Sequence, residues 1–95
     1  MKSLTNILIA GIGGASLGTE IAKSLIMTGK YQIFGCDISE FAYGHYTNLF
    51  KKTYVIDENK YIDSILKLCQ NDNISYIIPG GEIPLNLLSF YNEVL

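Results

Sequence analysis

Arginine and tryptophan are absent from this 95-residue chain, histidine occurs once, and proline and cysteine occur twice each. Without arginine there is no planar fork for bidentate capture of a phosphate or carboxylate. Any anion site must therefore use backbone N–H groups or one of the seven lysines. A single His45 and two unclustered cysteines, Cys36 and Cys69, do not make a metal-ligand spacing, so no metal site is expected. The cysteines read as reduced core thiols. Charge of either sign is scarce too: the formal net charge of −2 gives no footprint for nucleic acid or an anionic membrane. No apolar run approaches the ~20 residues of a membrane span. The opening "NILIAGIGG" is too short and too broken by glycine for a secretory signal, so a cytoplasmic protein is expected.

What the chain does have is apolar residues, 48% of the total, and nine glycines. That suits one small domain, residues 1–95, around one core. Asn6–Ala10 is an unbroken apolar run, as expected of a strand buried on both faces. After "GIGGASLG", residues 11–18, Leu17, Ile21, Leu25 and Ile26 recur at helical spacing, and Gly29 ends that helix. Tyr31–Cys36 reads as a second strand closing on Asp37. Residues 38–52 read as a loop with a short helical turn, and Thr53–Ile56 as a third strand. Asn59 is a candidate cap for a helix with an apolar stripe of Ile62, Ile65, Leu66 and Cys69, stopped by Asn71–Asn73. Ile74–Ile78 is a fourth strand ended by Pro79-Gly80-Gly81, and Pro84 suits the first turn of a last helix.

Strands alternating with helices predict an α/β fold, a parallel sheet covered on both faces. Right-handed crossovers then favour a Rossmann-like three-layer α/β/α domain with a four-stranded parallel sheet in the order 3-2-1-4. In that order strands 1 and 4 are neighbours at the switch point. Both glycine loops, residues 11–18 and Gly80-Gly81, should flank one crevice there. Asp37 should lie at the same edge, one strand further out.

The first loop is not a dinucleotide fingerprint. Gly11 and Gly13 fit G-x-G-x-x-G, but Ser16 holds the third glycine position and the next glycine is Gly18. It is not a Walker loop either, because no Lys-Ser or Lys-Thr follows. Backbone groups of Gly13, Gly14 and Ser16 at a helix N-terminus could hold a polar group, or the loop could simply turn the chain. Asp37 could hold a ribose hydroxyl or cap its own loop. Glu82 could face the crevice or merely favour a helix dipole. His45, among Phe41, Tyr43 and Tyr46, reads as packed or solvated rather than catalytic, and the tyrosine-rich segment 41–54 as a candidate interface.

The order of these features is similar to that of a known family. "ILIAGIGGASLGTEIAKSLIMTGKYQIFGCDIS" resembles the opening of the domain that precedes the ATP-grasp fold in carbamoyl-phosphate synthase large-subunit-like proteins. "AYGHYTNLFKKTYVI" resembles that family's passage from the second-strand aspartate to a short strand. "NKYIDSILKLCQNDNISYIIPGGE" resembles its helix and the strand ending in proline with an acidic residue nearby. The chain departs from the family at Ala15, where a proline is common, and at Gly80-Gly81, where Thr or Ser with Asp is common.

The resemblance implies a pre-ATP-grasp domain at the N-terminal side of a carboxylate ligase that forms an acyl phosphate with Mg-ATP. This segment would carry no catalytic residue and no cofactor. Its partners would be a downstream ATP-grasp catalytic domain, in the same chain or a split gene product, and a small carboxylate substrate. Self-association is compatible with it. The substrate-side residues would be Gly13, Gly14, Ser16, Asp37, Gly80, Gly81 and Glu82. Two other readings stand beside it: an NAD(P)-binding half of an oxidoreductase or epimerase, and a small interaction module of flavodoxin-like shape. A phosphoacceptor receiver lacks its acidic cluster and its lysine here.

Overall fold

Strands β1 (Thr5–Ala10), β2 (Tyr31–Asp37), β3 (Lys52–Val55) and β4 (Tyr76–Pro79) form one parallel sheet in the order β3-β2-β1-β4. Helix α1 (Leu17–Met27) joins β1 to β2, and α2 (Tyr61–Asp72) joins β3 to β4. The computed structural model describes residues 4–13 and 17–81; Gly14, Ser16, Glu82 and the helix expected from Pro84 lie outside the described residues.

The inner strand β1 is apolar and buried from Ile7 to Ala10, where both its faces are covered. Ile7 and Ile9 point to the α1 side, where Ile12, Ala22, Ile33 and Ala42 complete a cluster. Leu8 and Ala10 point the other way and pack with Phe34, Cys36, Tyr61, Ile65 and Leu68. Each fully buried Leu or Ile contributes about 1.5–3 kcal/mol. The domain is thus a Rossmann-like α/β/α sandwich, as the alternation of elements predicts. No helix among the described residues is long and apolar enough to cross a membrane.

Four local expectations need correction. On α1 the buried residues are Gly18, Thr19 and Ala22, with Ile21 and Leu25 half-buried, while Leu17 and Ile26 are exposed. The contact line runs through 18, 22 and 25, a helical spacing led by small residues, and Leu17 falls outside it. On α2 the line runs through Tyr61, Ile65 and Leu68 beside Ile62, so Leu66 is exposed and Cys69 only half-buried. Asn59 caps nothing: Asp57 accepts from the Asn59 N–H at 2.9 Å and caps a 3-10 turn, Glu58–Lys60, from which α2 starts. Ile74 and Ser75 precede β4, because the Ile74 N–H still bonds back to the Cys69 carbonyl after the left-handed Asn73.

Candidate functional site

Gly11 leaves β1 with a φ of +103°, a conformation that favours glycine. Its N–H continues the ladder to the Cys36 carbonyl at 2.8 Å, and on the other side the Gly80 N–H reaches the Ala10 carbonyl at 2.6 Å. The first turn of α1 then comes down on both. The Gly18 N–H donates to the Gly80 carbonyl at 3.1 Å. Gly11, Gly18 and Gly80 meet backbone on backbone. A Cβ on Gly18 or on Gly80 would run into the Gly11 carbonyl oxygen, and one on Gly80 would also lie 2.8 Å from the Gly18 Cα.

The two glycine loops therefore share one seam at the carboxyl ends of β1 and β4, as the strand order requires. The Gly18 seen in the sequence as the glycine that breaks the dinucleotide spacing is the one that lets helix and strand approach. Its task is the packing role that the third fingerprint glycine has elsewhere. Nothing in the spacing alone marks it for that role.

On the far side of Gly11 the chain is held by β2 and the loop after it. The Asp37 carboxylate accepts the Ile12 N–H on Oδ2 at 2.9 Å and the Ser39 N–H on Oδ1 at 3.0 Å. The Ile12 carbonyl accepts the Gly44 N–H at 2.7 Å. A Cβ on Gly44 would lie 2.6 Å from the Ile12 Cβ, so glycine is required here for close approach rather than for φ. Both hydrogen-bonding groups of the Ile12 peptide are thus used, and its side chain is fully buried. Asp37 caps its own loop and steadies the glycine loop at once. Gly44 escaped the sequence reading; its one trace is the alternation of small and aromatic residues in "FAYGHY".

Of the expected site residues, the structure brings Gly13, Asp37, Gly80 and Gly81 to this end of the sheet. Gly13 is half-buried; a Cβ there would meet the Asp37 Oδ2 at an ordinary 3.6 Å. His45 is engaged structurally. Its Nε2 lies 3.0 Å from the Ser39 carbonyl and must donate to it, which leaves Nδ1 to accept from the Thr53 hydroxyl at 2.9 Å in the neutral ring. Burial, then the Asp37 charge, pushes the Cys36 thiol up to about 12, so it stays protonated and unreactive. Burial also raises Tyr61 beyond its ordinary value.

Chemically, the described residues at this end offer backbone groups and the Asp37 carboxylate, which already accepts two N–H bonds. Among the described residues no group of three or more His, Cys, Asp or Glu side chains is placed to hold a metal ion. A shallow groove along the outer side of α2, lined by Lys60, Asp63, Ser64, Leu66, Lys67 and Gln70, lies on one solvent-facing surface and draws no residue from the seam. No protein-family model matches the chain, and no curated protein matches its sequence.

Proposed function

We propose that this domain is the substrate-side packing domain of an ATP-grasp carboxylate ligase of the carbamoyl-phosphate synthase large-subunit type. Its own residues take no chemical step. The full ligase would activate a small carboxylate as an acyl phosphate with Mg-ATP, both held by a downstream catalytic region. The observation that carries this reading is the seam itself: the Gly18 N–H bond to Gly80 at 3.1 Å joins the two loops that the resemblance assigns to the substrate side. Glycine on both loops lets a substrate or a loop of the catalytic region come close to the backbone.

The nicotinamide reading rests on Asp37 at the end of β2. That carboxylate already accepts from Ile12 and Ser39, and the Gly18 N–H is spent on Gly80 rather than aimed at a pyrophosphate. Calorimetric titration of the chain with Mg-ATP, NAD and NADP is expected to give no micromolar binding. Micromolar ATP affinity would contradict the packing role, and micromolar NAD or NADP affinity would favour the oxidoreductase reading. In a protein carrying the ATP-grasp region, Glu82→Ala or Gly14→Val should raise KM for the carboxylate more than KM for ATP.

A further inference from the structure

Ile12 is a loop residue buried like the core of a strand. It stands between Gly11 and Gly13, past the end of β1, yet its exposure is 0%. Connecting segments normally run over the surface. Glycine makes the space for it on two sides. A Cβ on Gly35, in β2, would lie 3.1 Å from both Cγ2 and Cδ1 of Ile12, and one on Gly44 would lie 2.6 Å from the Ile12 Cβ. Phe50 closes the slot, since the same Gly35 Cβ would meet its ring at 3.0 Å. Ile33 and Ala42 pack in the same cluster. A β-branched side chain is stiff at χ1, so in such a slot Ile12 acts as a rigid peg.

Its peptide is held as firmly as its side chain. The Ile12 N–H donates to Asp37 Oδ2 at 2.9 Å, and the Ile12 carbonyl accepts the Gly44 N–H at 2.7 Å. The next residue differs. Among the described residues the Gly13 N–H has no hydrogen-bond partner. A Cβ on Gly13 would meet Asp37 Oδ2 at 3.6 Å and the Ala42 Cβ at 3.9 Å, both ordinary contacts. A fixed residue is thus followed directly by an unpaired donor at the carboxyl end of β1.

From the glycine-made slot, the doubly bonded peptide and the unpaired amide beyond it, we infer that Ile12 is a positioning residue. Its buried side chain sets where Gly13 presents its N–H to an acceptor oxygen of the substrate. The inference rests on the ligase reading for the identity of that substrate, a small carboxylate, but not for the lever itself. Ile65 is the natural comparison, because it has the same side chain and the same 0% exposure on the other face of the sheet. Truncating either isoleucine removes equivalent core packing. Only Ile12 continues into an amide that can meet a ligand, and a preorganised donor needs such a rigid support.

The test compares these two residues in a protein carrying the ATP-grasp region. Ile12→Ala should raise KM for the carboxylate about tenfold and leave KM for ATP within about twofold. Ile12→Val, which keeps the β-branch, should recover most of that loss, and Ile65→Ala should leave both KM values unchanged. Equal effects of Ile12→Ala and Ile65→Ala would overturn the proposal. An unchanged carboxylate KM in Ile12→Ala, while Gly14→Val still raises it, would overturn the proposal and leave the ligase reading standing. If Gly14→Val and Glu82→Ala are without effect as well, the ligase reading fails and the 95-residue chain decides on the lever. There Gly35→Ala, whose new Cβ meets only side-chain atoms, should shift the Gly13 amide resonance, and the shift should vanish in an Ile12→Ala background. A Gly13 shift that is absent, or that persists in the double variant, would overturn the positioning role.

Discussion

Helix α1 reaches the sheet through Gly18, Thr19 and Ala22, whereas α2 reaches it through Tyr61, Ile62, Ile65 and Leu68. Both bury one side of the same strands. Small residues on α1 bring its backbone down onto Gly11 and Gly80, so its position is set by carbonyl and amide groups that cannot rotate away. Large side chains on α2 hold it further off and can repack. The α1 end is therefore intolerant of added atoms, and the α2 side is sensitive to lost ones. The candidate site lies at the intolerant end, where a displacement of the helix would move both glycine loops.

The sharpest break in that comparison is Gly18→Ala. Inside a helix this exchange should stabilise by about 0.5–1 kcal/mol. Here the new Cβ meets the Gly11 carbonyl, and unfolding titrations should instead show a loss of more than about 4 kcal/mol, in the exceptional range for one substitution. Gly80→Ala should behave alike. On the other face, Ile65→Ala removes a fully buried side chain and should cost about 2–5 kcal/mol without moving the glycine loops. A chemical-shift map would show its effect confined to the α2 cluster.

A smaller effect sharpens the comparison through pH. The Cys36 thiol sits on the α2 side and is pushed from 9.0 to about 12, by burial first and the Asp37 charge next. The unfolded thiol loses its proton near 9.0 while the folded one keeps it. The native state then binds more protons across that window, so stability falls as pH rises from about 9 to about 12. The expected loss by pH 11 is about 3 kcal/mol, and a Cys36→Ala variant should show a shallower decline over the same range. The smallest effects belong to glycines outside the seam. Gly29 has a φ of +70° and open space around it, so Gly29→Ala should cost only about 1 kcal/mol, from backbone strain. Gly13→Ala, with its nearest contact at 3.6 Å, should fall within about 0.5 kcal/mol.

The sheet order was legible because each β-to-helix alternation constrains the next, and the handedness of crossovers leaves few arrangements. The meeting of the two glycine loops followed from that order. The burial lines of the helices were less legible. Apolar spacing favours Leu17 and Leu66, but the actual lines pass through Gly18 and Leu68, since backbone proximity outweighed side-chain size on α1. Asp57 displaced Asn59 as a cap because a 3-10 turn precedes α2. The double use of Asp37 and the need for glycine at position 44 depend on where Ile12 lies in space, which no spacing rule in the chain conveys.

Gly18, Gly11 and Gly80 form one closed backbone seam that positions both loops. Amide hydrogen exchange at Gly18 tests it most directly. With its N–H held by the Gly80 carbonyl at 3.1 Å, Gly18 should exchange only through large-scale opening, with protection near that of Ile9 and Leu8 in β1. Exchange at Gly18 as fast as at an exposed loop amide, while β1 remains protected, would contradict it.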